Sequence, residues 1–160
     1  MTMPKIDIDK LPAETHSNYP EEFSREIVGR ERKRLGNAVG LDQFGVNLCR
    51  LKPGAASSQR HWHQNEDEFV YMLEGEVVLA EDDGETILEP GDAVGWKAGV
   101  PNGHRLINRS SRDAVFLEIG TRSPREVATY SDIDMRAERS DGKGARYVHK
   151  DGTPYPETKR

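Results

Sequence analysis

The chain has 160 residues, 34% of them hydrophobic and 32% charged, with 23 Lys and Arg against 28 Asp and Glu for a net charge of −5. That length suits one domain whose core needs no disulfide staples, and it excludes a multidomain machine. The longest uncharged apolar runs, Phe69 to Leu73 and Val77 to Ala80, fall far below the roughly 20 residues of a spanning helix, so no membrane partner is expected.

Residues 1–40 carry Pro4, Pro12 and Pro20 among scattered charges and read as an extended polar N-terminal arm, with a short helical turn near 21–27. Asp7, Asp9, Glu14, Glu21, Glu22 and Glu26 stand where a secretory signal would need an apolar run, so a cytoplasmic location is expected. The basic run Arg30-Glu31-Arg32-Lys33-Arg34 is short and interrupted by an acid. It reads as a solvated segment, not as a phosphate-binding arm.

Residues 41–121 have a different texture, with short β-branched, aromatic and aliphatic runs each closed by a turn signal. Strands are predicted over 42–51, 58–64, 67–73, 76–81, 85–89, 92–97, 104–109 and 114–121. Pro53-Gly54, Glu74-Gly75, Asp83-Gly84 and Pro90-Gly91 supply the turns. With no helical pattern between the strands, parallel crossovers are excluded and an all-β sandwich or barrel is expected, a jelly roll being the natural candidate. Residues 41–120 hold 7 Lys and Arg against 14 Asp and Glu, a net of −7, while the flanks hold 16 against 14, a net of +2. So acidic a middle makes nucleic acid a poor partner. Residues 122–160 are polar again and read as a C-terminal arm. Cys49, the single cysteine, suits a reducing compartment and reads as an inert buried thiol.

The chemistry concentrates in His61-Trp62-His63 followed by Glu68. Residues two apart on a strand share a face, so both imidazoles project together with Trp62 opposite. Two imidazoles and a carboxylate make an ordinary first-row metal site. A third histidine, His104, follows a Gly/Pro-rich turn where a later strand begins.

These residues resemble the two motifs of the cupin family. Gly54, His61, His63, Glu68 and Gly75 match the first, G-x5-H-x-H-x(3 or 4)-E-x6-G, with one extra residue between Gly54 and His61. Gly91, Gly99, His104 and Asn108 approximate the second, G-x5-P-x-G-x2-H-x3-N. Strict spacing would put Asn102 in the histidine position; a two-residue insertion with the H-x3-N ending intact favours His104. The resemblance implies a cupin-type jelly roll, or double-stranded β-helix, and one divalent transition metal ion (Fe, Mn, Ni or Zn) held by His61, His63, Glu68 and His104. It also implies a small-molecule ligand or substrate and a homodimer. Within the family the chain is similar to small single-domain bacterial cupins, some provisionally labelled sugar-phosphate isomerases.

Strand parity then places Phe69, Tyr71 and Leu73 outward if Glu68 points in, leaving an apolar stripe for a second subunit or the arms to cover. Val70 and Met72 share the inward parity of Glu68. Gln43, Gly45 and Asn47 share one face of the first long strand, inward or outward. Arg60 and Arg105 should point away from the ion, so no phosphate anchor is evident. Trp96 reads as core filling, His16 and His149 as surface histidines, and the Asn108-Arg109-Ser110 sequon as idle. The expected function is a metal-binding cupin enzyme acting on a small polar metabolite, as an isomerase, dioxygenase or lyase. No inward carboxylate beyond the ligands is evident, which counts towards oxygenation. A non-catalytic binding or sensing cupin is the alternative.

Overall fold

The computed structural model describes residues 5–141 and 143–157. Twelve strands dominate it: β1 (Arg30–Arg34), β2 (Phe44–Leu51), β3 (His61–His63), β4 (Glu68–Glu74), β5 (Val77–Glu81), β6 (Gly84–Leu88), β7 (Ala93–Trp96), β8 (Arg105–Ile107), β9 (Ala114–Thr121), β10 (Glu126–Tyr130), β11 (Arg136–Arg139) and β12 (Arg146–Val148). The sole α-helix among the described residues, α1 (Leu35–Ala38), is a single turn. No described helix is long and apolar enough to cross a membrane.

All neighbouring strands pair antiparallel, in three sheets ordered β1-β2-β9-β4-β7, β12-β11-β10-β3 and β6-β5-β8. This is the expected jelly-roll barrel, and each of the eight predicted strands is present within a few residues of its expected bounds. The helical turn expected near 21–27 appears as two 3-10 turns, Glu21–Phe23 and Arg25–Ile27.

The polar flanks are more ordered than their composition implies. Arg30–Arg34, read as solvated, is instead an edge strand paired with β2 along its whole length. Beyond residue 121, β10 pairs with β3, placing Ala128 opposite His63 and Tyr130 opposite His61. The strand that bears both histidines therefore takes its ladder partner from the C-terminal flank. On its other side His61 meets His104 in an isolated bridge.

Alternation assigns the faces. In β4, Val70 and Met72 are buried while Phe69, Tyr71 and Leu73 are exposed, as parity predicts. Val70 and Met72 join Cys49, Leu51, Val77, Leu79, Leu88, Leu106 and Phe116 in the main core. Each such side chain contributes about 1.5–3 kcal/mol on burial. A second core joins the flanks, with Tyr19 and Ile27 packed on Ala128, Tyr130 and Met135. Gly75 ends β4 at φ +69, and a Cβ there would lie 2.4 Å from the Asp113 carbonyl oxygen. Only glycine fits that turn.

Candidate metal centre

The register of the large sheet builds the site. Glu68 on β4 pairs with Gly120 on β9 and with Trp96 on β7, and Gly120 in turn pairs with Gly45 on β2. Two adjacent glycines leave the β9 and β2 positions next to Glu68 without side chains, and both line a cavity of about 690 Å³. His61, His63, Glu66, Glu118 and Tyr130 line the same cavity, with Glu14, His16 and Tyr19 from the N-terminal flank.

His61, His63 and Glu68 line this cavity, and His104, outside its lining, meets Glu68. His61 Nε2 lies 3.1 Å from His63 Nε2, and His63 Nε2 lies 3.2 Å from Glu68 Oε1. His104 Nε2 is 2.5 Å from Glu68 Oε2, and His61 Nε2 is 3.9 Å from that oxygen. Ligands about 2.1 Å from a shared ion at right angles lie about 3 Å apart. His61, Glu68 and His104 offer atoms all within 4.8 Å of one another, a trio that suits one first-row ion, whereas His63 adjoins it and also groups with Glu66 and Glu126. The ring orientations fit too. His61 Nδ1 lies 2.9 Å from the Gln59 carbonyl and His104 Nδ1 lies 3.1 Å from the Asn102 carbonyl. Each Nδ1 thereby donates its proton outward and turns Nε2 towards the centre.

The electrostatics separate the two strand histidines. Burial pushes the His61 pKa down to about 4, against the pull of Glu68, so this ring is neutral and ready to ligate. Burial acts the same way on His63, but Glu126 and Glu68 outweigh it and raise its pKa to about 10. Glu68 is held well below the usual carboxylate range; burial opposes this, and His104 and His63 overcome it. His63 Nδ1 is buried without a hydrogen-bond partner, 3.7 Å from Glu126 Oε1 and 3.9 Å from Glu66 Oε2. Those two carboxylates are themselves fixed, Glu126 by the Gln64 and Asn65 N–H groups and Glu66 by the Ser123 N–H and Arg139.

Sequence reasoning missed several residues. Glu118 is an inward carboxylate outside the four, which corrects the expectation that none exists. It sits between Asn47 on β2 and Val70 on β4, accepting from Asn47 Nδ2 at 3.0 Å and from Arg32 Nη2 at 3.2 Å. Burial works to raise its pKa, yet Arg32 prevails and keeps it lowered. Arg30, Arg32 and Arg34 all line the cavity, the reverse of a solvated run. Alternating Arg with Glu31 and Lys33 was the available signal, a strand pattern written entirely in charges.

The remaining expectations resolve individually. Asn102 stays outside the cluster and donates to Glu81 Oε1 at 3.0 Å. Gly45 and Asn47 face the cavity, whereas exposed Gln43 does not line it. Arg60 points away, to Asp132 and Asp82, and Arg105 to Glu26. Trp96, expected as core, packs against the core and also stacks on His104. His16 is exposed at the cavity mouth, and His149 pairs with Asp134 at 2.9 Å. Cys49 is buried and its thiol is pushed up to about 12, mainly by burial, which makes it no nucleophile. Asn108 is fully buried and donates to the Leu51 and Arg112 carbonyls, so its amide is not open to glycosylation.

The Cupin_2 family model, described as a Cupin domain, matches residues 47–120. A solved structure described as a sugar phosphate isomerase from a cupin superfamily, from Silicibacter pomeroyi, is 47% identical at a TM-score of 0.91, covering 96% of this chain and 97% of its own. A protein from Acidithiobacillus ferrooxidans carrying a provisional sugar phosphate isomerase name is 31% identical at a TM-score of 0.71, covering 81% of each chain. The polyketide cyclase RemF from Streptomyces resistomycificus shares the fold at 20% identity and a TM-score of 0.61, covering 75% of this chain and 80% of its own. Comparison with curated proteins gave no match.

Proposed function

The chain belongs to the cupin superfamily, and from that premise we propose that it is a metal-dependent enzyme of sugar-phosphate isomerase type, acting on a small polar metabolite inside the barrel. The observation that carries this reading is the clustering of His61, His63, Glu68 and His104, the first three of them lining an open cavity. A divalent ion bound by these four would supply Lewis-acid polarisation of a substrate carbonyl or hydroxyl. The sugar phosphate isomerase names of the two relatives above 30% identity support the reaction class.

Isomerisation moves a proton between carbons next to a carbonyl, and Glu118 supports that step. Arg32 keeps its carboxylate ionised, hence able to accept a proton. Glu118 Oε2 takes the Asn47 bond and a contact with Cys49, whereas Oε1 takes only the Arg32 Nη2 bond. Oε1 is therefore the oxygen with capacity to receive the substrate proton and return it. Asn47 and Arg32 hold the carboxylate still during the exchange. Glu14, His16 and Tyr19 of the N-terminal flank line the same cavity.

Elemental analysis of protein purified without a metal-binding tag tests the reading, alongside His61→Ala and His104→Ala. Stoichiometric metal that is lost in both variants supports it. Iron redirects it towards oxygenation, and a protein that takes up no metal on reconstitution leaves a non-catalytic binding cupin. The same reading has the chain as a homodimer, in which a second copy covers Phe69, Tyr71 and Leu73, exposed at 42%, 40% and 39%. Light scattering on the purified protein tests that arm.

A further inference from the structure

The three arginines that β1 turns into the cavity differ in how their charge is met. Arg32 pairs with Glu118 at 3.1 Å and Arg34 with Glu14 at 2.8 Å. Arg30 has no carboxylate partner among the described residues. Its Nη1 donates to the Ser57 carbonyl at 2.8 Å and its Nη2 to the His16 carbonyl at 3.4 Å, while its Nε is buried with no partner. Carbonyls satisfy its donors in part and leave its positive charge without a directly paired carboxylate. Burial, and after it the neighbouring Arg32 charge, lower its pKa, and the pull of Glu118 does not offset them. Arg122, the other cavity arginine without a carboxylate partner, is exposed at the rim, where water meets its charge. Arg30 is half-buried in the wall and lacks that solvation.

Its position ties it to the metal centre. Ser57, which accepts from Arg30, precedes Ser58, whose Oγ lies 3.3 Å from His61 Nδ1. Arg30 lines the same cavity as His61, His63 and Glu68. We infer that the cavity binds its substrate through an oxyanion, a phosphate or a carboxylate, paired with the Arg30 guanidinium. This rests on the reading of the cavity as a substrate site, and it adds the substrate's charge and the residue that receives it. A planar fork of donors matches two oxygens of such a group, and an anion there offsets the buried charge that the carbonyls do not.

Isothermal titration of inorganic phosphate and, separately, of acetate tests the inference. Wild type, Arg30→Gln, Arg30→Lys and Lys33→Gln are each titrated as purified and after chelation, since an ion could itself bind either probe. Lys33 lies on the opposite face of β1 and serves as the control. Arg30→Gln is expected to weaken binding about tenfold or more in both states, with Arg30→Lys intermediate because a point charge replaces the fork. Lys33→Gln is expected to bind as the wild type does. The probe that binds more tightly identifies the oxyanion. Wild-type protein that binds neither probe, or Arg30→Gln that binds as tightly as wild type, overturns the inference. If Arg30→Gln fails to fold by circular dichroism, Arg30→Lys decides alone. Metal content on the same samples keeps the two readings apart. Arg30-dependent anion binding by a protein that takes up no metal defeats the metal reading and leaves this one standing, while a metal-loaded protein indifferent to Arg30 does the reverse.

Discussion

The indole of Trp96 lies flat on the imidazole of His104, with ring centroids 3.8 Å apart and planes 6° from parallel. Its Nε1 donates to Glu81 Oε1 at 2.8 Å, and that same oxygen accepts from Asn102 Nδ2 at 3.0 Å. The Asn102 carbonyl faces His104 Nδ1 at 3.1 Å, closing a ring of contacts that fixes the imidazole from its face and its edge. Supporting contacts of this kind set how well a ligand holds its ion. Trp96→Leu is expected to lower metal affinity about tenfold in a chelator competition while leaving the far-ultraviolet dichroism unchanged, and Trp96→Phe to lower it less. Equal affinity in Trp96→Leu would assign the stack to packing alone.

Proton competition at His63 makes metal uptake pH-dependent. In the metal-free protein its folded pKa is raised to about 10, burial being outweighed by Glu126 and Glu68, so the ring is protonated near neutral pH. Ligation requires the neutral ring, and uptake therefore tightens as pH rises towards that value. Calorimetry in two buffers of different ionisation enthalpy should show about one proton released per ion near pH 7. For the metal-free fold the sign is opposite. The stability that protonated His63 contributes is fully present below its unfolded value of about 6.5 and lost as pH rises through the folded value. Metal heats that do not depend on the buffer would refute the assignment.

Glu118→Gln preserves the shape of the carboxylate and removes its capacity as a base. Turnover of a sugar phosphate by the metal-loaded protein, followed as deuterium uptake from solvent, should fall about 10²–10⁴-fold with metal content unchanged. Unaltered exchange would move the proton transfer to another group.

Gly75 and Gly54 both have positive φ, +69 and +86, but only Gly75 is crowded. Beyond the Asp113 oxygen, its added Cβ would lie 2.9 Å from Ala114 Cα, and both obstacles are backbone. Gly75→Ala should therefore cost about 2–5 kcal/mol in urea unfolding, combining strain with overpacking. Nothing lies within 4 Å of a Cβ at Gly54, so Gly54→Ala should cost only the backbone strain, about 1–2 kcal/mol.

Met135 is fully buried in the second core, against Tyr19 and Ile27 of the N-terminal flank. Met135→Ala should cost about 2–5 kcal/mol in the same unfolding measurement, as a core truncation does. A cost near zero would show the flanks to be loosely attached.

The barrel strands were legible because their inward faces are apolar, so Val70 and Met72 alternate with exposed neighbours in a way periodicity detects. β1 escaped for the converse reason. Its inward residues, Arg30, Arg32 and Arg34, face a polar cavity, and a strand whose two faces are both charged carries no hydropathy signal. β11, Arg136–Arg139, escaped likewise, with three charges in four residues. The clustering of His61, His63, Glu68 and His104 was legible from motif spacing, and Asn102 lies outside that cluster. Glu118 lies among Val115, Phe116, Leu117 and Ile119, and a lone charge inside so apolar a strand was the one clue to it. Arg30 could not be singled out in the sequence, because what distinguishes it from Arg32 and Arg34 is the absence of a carboxylate in space.

The pairing of β3 with β10 also orders events in time. His61 and His63 lie more than sixty residues before Ala128–Tyr130, so during synthesis both histidines leave the ribosome well before their ladder partner exists. Such distant pairings form late, after the entropy of closing a long loop has been overcome. The candidate metal centre is thus among the last parts of the molecule to acquire its geometry, because its histidine strand waits for a partner from the C-terminal flank. A nascent chain stopped after β9 would expose its histidines on an unpaired segment, open to whichever ion is most abundant.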